Sequence, residues 1–212
     1  MDSIDNFRNR ISEIDILVDY ATRNAADLSI YQLFIKTSIV LLTTKLEVFL
    51  EEFIDEHSIR TLNGHTNTSL PKKMKDIYFN RGIELIANEK KQHKKDPFFQ
   101  SISVLRQNNG NSISAISNIR PLLTFNYGKH GQKEIEALFE RHGLETFIKS
   151  NNSQNCLRLM NSLIAIRNNV IHQDTSPGIP HQTIIDHKNN ILDFISFLEV
   201  DIELNKNTYY NE

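Results

Sequence analysis

With 212 residues, 39% of them apolar and 24% charged, the chain is long enough for one domain with a substantial core and too short for two comfortable ones. No stretch approaches the ~18 consecutive apolar residues that cross a bilayer, and the acidic start Met1-Asp2-Ser3-Ile4-Asp5 lacks the basic-then-apolar order of a secretion signal, so a cytoplasmic location is expected. A formal net charge of −2 excludes a protein that coats nucleic acid by bulk charge; such a substrate would have to be held locally.

Ile4, Phe7, Ile11, Ile14, Val18, Ala21 and Ala25 recur at three- and four-residue intervals and predict a first helix over 3–26. A second, long helix is expected from Tyr31 to about Thr61, with Ser29 as its cap and Ile35, Ile39, Leu42, Leu46, Phe49, Leu50, Phe53 and Ile54 on one face; Asn63-Gly64 ends it. The polar connector 66–71 follows, with Ser69 as a candidate cap. Residues 72–95 carry lysines at both ends and enough apolar residues for one or two short helices, and Asp96-Pro97 is expected to break the run. After the polar loop 107–111, the stretch 119–130 reads as irregular. A short helix over 132–141 should stop at His142-Gly143, where glycine tolerates positive φ.

A helix over 153–172 comes next. Pro180 suits the first turn of a final helix with Ile184, Ile185, Ile191, Leu192, Ile195, Leu198 and Ile202 on its apolar face. The expected fold is all-α: a helical bundle with long N-terminal helices and additional short helices in the middle. It forms a single domain over 1–205, followed by a polar, frayed tail over 206–212. Cys156 alone excludes a disulfide framework, and the eight histidines include no HExxH pair or comparable spacing, so neither a metal site nor a cofactor is expected.

Chemistry concentrates at Arg167-Asn168-Asn169-Val170-Ile171-His172. Leu157, Met160, Leu163, Ile164, Ile166, Val170 and Ile171 form an apolar stripe, and Arg167 falls on it, three residues after Ile164 and four before Ile171. Asn168 and His172 are one turn apart and share a face, so amide and imidazole can meet one phosphate while Arg167 reaches it from the side. Cleaving RNA without a metal needs a base for the 2′-hydroxyl proton, an acid for the leaving 5′-oxygen and positive charge for the phosphorane. Imidazole titrates near neutral pH, and guanidinium stays charged with planar donors suited to phosphate.

In this order of elements the motif resembles the signature of the HEPN superfamily of small α-helical domains: Arg, a polar residue, three further residues, then His. The segment 41–53, LLTTKLEVFLEEF, is similar to the early long helix of the larger bacterial HEPN branch of toxin and defence loci; residues 72–130 match nothing in the family pattern. The resemblance implies a homodimer in which two motifs face each other and form a composite, metal-independent endoribonuclease site. Arg167, Asn168 and His172 would be its catalytic residues, Glu47 and Asn169 would support them, and the products would carry a cyclic phosphate and a 5′-hydroxyl. Where HEPN toxins paired with nucleotidyltransferase antitoxins often carry a modified Tyr two residues after the His, this chain has Asp174.

Alternatives stay open at this level. Arg167 can be a structural residue bridging helices through Glu47, and His172 a simple C-terminal cap favoured by the helix dipole. The same fold can serve as a noncatalytic RNA- or nucleotide-binding or scaffolding module, or as a structural subunit whose partner carries the activity. An antitoxin or defence partner protein is compatible with the resemblance; a membrane is not expected. Lys90, Lys91, Lys94 and Lys95 form a candidate RNA-backbone contact or, equally, a solvated face. Phe79, Phe98, Phe99 and Tyr127 are candidates for base stacking or for the core.

Overall fold

The computed structural model describes residues 1–107, 109–111, 113, 131–173 and 178–211; the expected irregular stretch 119–130, Tyr127 within it and Asp174 lie outside them. Among the described residues there are nine helices and no strand: α1 (Asp2–Arg10), α2 (Ser12–Arg23), α3 (Leu28–Gly64), α4 (Lys72–Asn88), α5 (Gln92–Arg106), α6 (Gln132–Arg141), α7 (Glu145–Ile148), α8 (Asn151–Gln173) and α9 (His181–Tyr210). The chain is all-α, as its periodicity implies. None of the described helices is long and apolar enough to cross a membrane.

Two compact units emerge, and the division between them falls inside α3, after Phe53, inside α6, after Glu136, inside α7, after Glu145, and inside α9, after Asp201. The described part of the first comprises Met1–Phe53, 131–136, 146–173 and 178–201. The expected helix over 3–26 is broken here at Ile11 into α1 and α2. Its apolar stripe survives the break, since Ile4, Phe7, Ile11, Ile14, Val18 and Ala21 are all buried. Phe7 packs on Phe49 of α3 with ring centroids 5.1 Å apart. Ion pairs Arg10–Glu52 and Lys45–Glu13 tie the two short helices to α3, and Arg8–Glu199 and Lys188–Asp15 tie them to α9. Each such surface pair contributes about 0–1 kcal/mol, so the aligned cores of Ile35, Ile39, Leu42 and Leu46 and of Ile184, Ile191, Phe194 and Ile195 hold the unit together. Asp27, rather than the expected Ser29, caps α3: its carboxylate accepts the N–H groups of Ser29 and Ile30 at 3.0 and 3.1 Å. α8 joins α9 through the Asn190 side chain, which donates to the Cys156 carbonyl at 2.9 Å.

The described part of the second unit comprises 54–107, 109–111, 113, Ala137–Glu145 and 202–211. Its core gathers Leu62, Leu70, Met74, Tyr78, Leu105 and Ile113, with Phe79, Phe98 and Ile102 packed against it. Asp96-Pro97 does not break the chain; Pro97 lies inside α5, and the turn comes earlier, at Glu89–Lys91, where the backbone is extended. A proline in a helix interior costs about 3 kcal/mol, and the packing of Phe98 and Ile102 and the burial of Leu105, all at positions that follow it, offset that loss. Ser69 does not cap α4, whose N-cap is Pro71; its hydroxyl instead accepts the Thr66 N–H at 3.0 Å and closes the 65–70 turn. α6 ends as its sequence implies: Gly143 has φ +83°, and Leu144 and Gly143 donate to the Phe139 and Glu140 carbonyls.

The polar tail expected over 206–212 is helical as far as Tyr210. α9 bends at Asn205 (φ −113°, ψ 15°), and beyond the bend Tyr209 and Tyr210 are buried, Tyr210 completely. Polar neighbours gave this segment the composition of a tail, but two adjacent aromatics bring enough apolar area to order it.

Candidate functional site

Both elements that carry the motif and its expected partner belong to the first unit. On α8 the buried positions Ser153, Cys156, Leu157, Met160, Leu163 and Val170 advance in steps of three, one, three, three and seven. The gap of seven between Leu163 and Val170 is where a helix would normally place one more apolar residue, and Arg167 occupies it, four after one and three before the other. Its side chain is accordingly half-buried. Ile171, by contrast, is exposed (43%), because the stripe runs out as α8 approaches its end at Gln173.

The Arg167 guanidinium donates from Nη1 to the Asn168 side-chain oxygen at 3.1 Å. This bond between consecutive residues sets the two side chains side by side. Asn168 is half-buried, while Asn169 and His172 are exposed. Asn168 and His172, four apart, share one face at the last turn of α8, where the carbonyl end of the helix favours positive charge. The site thus offers a charged planar donor held in place, an amide beside it and an exposed imidazole one turn further on.

Glu47 lies on the buried face of α3, on the line Thr43–Glu47–Leu50–Ile54, and is 8% exposed. Burial pushes its carboxyl above the usual carboxylate range, the nearby Arg167 charge pulls it back down, and Glu51 raises it further. Glu51, one turn along, is also held high by burial. An arginine on the packed face of α8 and a carboxylate on the packed face of α3 therefore sense one another, which reduces the cost of desolvating each. Glu51 did not stand out in the sequence; its i,i+4 relation to Glu47 was the signal that could have found it.

Lys90, Lys91, Lys94 and Lys95 belong to the second unit, whereas α8 belongs to the first. Lys90 and Lys91 sit in the turn before α5 and Lys94 and Lys95 in its opening turn; the first three are exposed and Lys95 is half-buried. Of the candidate stacking aromatics, Phe79 and Phe98 pack on the core of that unit, and Phe99 is exposed (49%). Among the described residues no group of three or more His, Cys, Asp or Glu side chains is placed to hold a metal ion. A cavity of about 210 Å³ in the first unit, walled by Phe7, Leu41, Val48 and Phe49, includes none of the motif residues.

A family model described as RiboL-PSP-HEPN matches residues 5–204. The bounds of the match span both α3 and the motif-bearing α8. No curated protein matches the chain, and no solved structure matches it.

Proposed function

Because the chain belongs to the RiboL-PSP-HEPN family, we propose that it is an endoribonuclease that cuts RNA without a metal, acting as a homodimer of toxin or antiviral-defence type. The observation that carries the reading is the arrangement at the end of α8, where a half-buried arginine is bonded to the adjacent amide at 3.1 Å, with an exposed histidine one turn beyond that amide.

In this reading a base removes the 2′-hydroxyl proton, the 2′-oxygen bonds to phosphorus, the bond from phosphorus to the 5′-oxygen breaks, and an acid delivers a proton to that oxygen. The products are a 2′,3′-cyclic phosphate and a 5′-hydroxyl. His172 serves one proton transfer, and because a single imidazole fills only one role at a time, His172 of a second copy serves the other. Arg167 neutralises the charge that builds on the phosphorane, a contribution largest where water is excluded. Asn168 orients the phosphate or the imidazole. Glu47 holds the Arg167 guanidinium at the packed side of α8, and Asn169, exposed next to Asn168, contributes at the edge of the cleft. Lys90, Lys91, Lys94 and Lys95 give the RNA backbone a basic face, and an antitoxin or defence partner would restrain the enzyme.

One observation favours a second reading, a noncatalytic RNA-binding or scaffolding module: the proximity of Glu47 to Arg167 also suits an ion pair whose only task is to join α3 to α8. Arg167→Ala and His172→Ala separate the two. On the nuclease reading each variant stays folded and dimeric by light scattering and loses at least a hundredfold in cleavage rate, in line with the ~10²–10⁴ supplied by a positioned proton-transfer group. Undiminished cleavage by both variants, purified free of contaminating nuclease, rules the nuclease reading out.

A further inference from the structure

Within the second unit, the buried Tyr209 and Tyr210 at the end of α9 are bonded and packed against residues far away in the sequence. The Tyr210 hydroxyl donates to Nδ1 of the fully buried His57 at 2.9 Å, and His57 passes the chain on by donating from Nε2 to the His142 carbonyl at 3.0 Å, the residue that precedes the Gly143 cap of α6. The Arg60 guanidinium lies over the Tyr210 ring at 4.2 Å. The Tyr209 carbonyl accepts from His65 Nε2 at 3.1 Å, and the other nitrogen of that ring accepts from Ser69, which itself accepts the Thr66 N–H. At Gly64 the two backbones meet so closely that a Cβ would fall 1.6 Å from the Tyr210 carbonyl oxygen.

These contacts share a geometry. Beyond the bend at Asn205 the chain crosses the end of α3 and bonds to its last two turns at His57 and to the 65–70 turn at His65, and through His57 it connects to the C-terminal cap of α6. Leu62, on the same turns of α3, is part of the core shared with Met74 and Tyr78 of α4 and Leu105 of α5. We propose that residues 206–210 are a latch, hinged at Asn205, that keeps the α3 end and its 65–70 turn in register and thereby holds the lysine-bearing α4–α5 hairpin in shape, while leaving the motif-bearing α8 to the core of its own unit. This device goes beyond the nuclease reading and does not depend on it.

Hydrogen exchange followed by mass spectrometry tests it on the full chain, with Tyr210→Phe and a truncation after Asn207. Tyr210→Phe removes the bond to His57 while keeping the ring under Arg60, and truncation removes both tyrosines. The latch predicts exchange at least tenfold faster over 57–71 and α4 in the truncated chain, a smaller acceleration of the same segments in Tyr210→Phe, and unchanged exchange over α8. Unchanged exchange over 57–71 in both variants overturns the proposal. So does an equal acceleration over α8, which would make the tyrosines ordinary contributors to global stability. If the truncated chain does not fold, Tyr210→Phe alone decides by the same comparison of segments.

Discussion

Acidification should destabilise this protein through one buried ring, and the size of the effect follows from its surroundings. His57 is fully buried, accepts from Tyr210 at one nitrogen and donates to the His142 carbonyl from the other, so its neutral form is the one the structure fits. Burial, with the neighbouring His142 and Arg60 adding to it, brings its pKa down to about 3, only partly countered by the bond to the His142 carbonyl. In the unfolded chain the same ring titrates near ~6.5. Above that value neither state binds a proton at His57 and stability is unaffected. Between about pH 6.5 and 3 the unfolded chain takes up the proton and the folded one does not, so stability falls as pH falls, by about 1.4 kcal/mol per pH unit for this one group. The loss is about 2 kcal/mol at pH 5 and about 3 kcal/mol at pH 4, against a typical total of ~5–15 kcal/mol. His142 and His187, both also held low by burial, act in the same direction. His57→Gln keeps a donor and an acceptor but cannot titrate. Urea unfolding at constant ionic strength, followed by near-ultraviolet dichroism of the tyrosines in a chain without tryptophan, should give His57→Gln a shallower dependence of stability on pH, by about 1.4 kcal/mol per unit between pH 6 and 4. Equal slopes for the two proteins would refute the assignment of a neutral, proton-excluding His57.

Two further outcomes are expected. Gly64→Ala places a Cβ against the Tyr210 carbonyl, backbone against backbone, and should cost about 2–3 kcal/mol in urea unfolding, in the upper range of overpacking; a loss below ~0.5 kcal/mol, the level of an ordinary surface substitution, would contradict the close approach. Replacing Lys90, Lys91, Lys94 and Lys95 by Glu should weaken RNA binding and flatten its dependence on salt, each lost phosphate contact lowering the logarithmic slope by ~0.7 on single-stranded RNA; an unchanged slope removes these lysines from the RNA path.

The helical periods of 4–21, 35–54 and 184–202 were legible because each is an uninterrupted apolar stripe, and burial follows those stripes almost residue by residue. Local signals read less well where tertiary contacts outweigh them. Pro97 looked like a break and lies in a helix, because the residues around it pack a core; Ser29 and Ser69 looked like caps, and Asp27 and Pro71 hold those positions. The end of the chain was the largest surprise. Tyr209 and Tyr210 are surrounded in sequence by Asn, Lys and Thr, and nothing local announces that His65 and His57, 144 and 153 residues earlier, wait to receive them. At the site, Arg167, Asn168 and His172 were readable as one turn of helix, and the position of Arg167 on the apolar stripe already implied a buried partner. The added carboxylate of Glu51 was legible only as a residue one turn from Glu47; that its carboxyl is held high depends on the burial of α3 and not on the motif.

Incubating the purified protein with mixed cellular RNA in EDTA, beside His172→Ala, and analysing the ends of any fragments tests the central claim most directly. The account predicts cleavage by the wild-type protein alone, leaving 2′,3′-cyclic phosphate and 5′-hydroxyl ends. Cleavage that stops in EDTA, or fragments bearing 5′-phosphates, would contradict it.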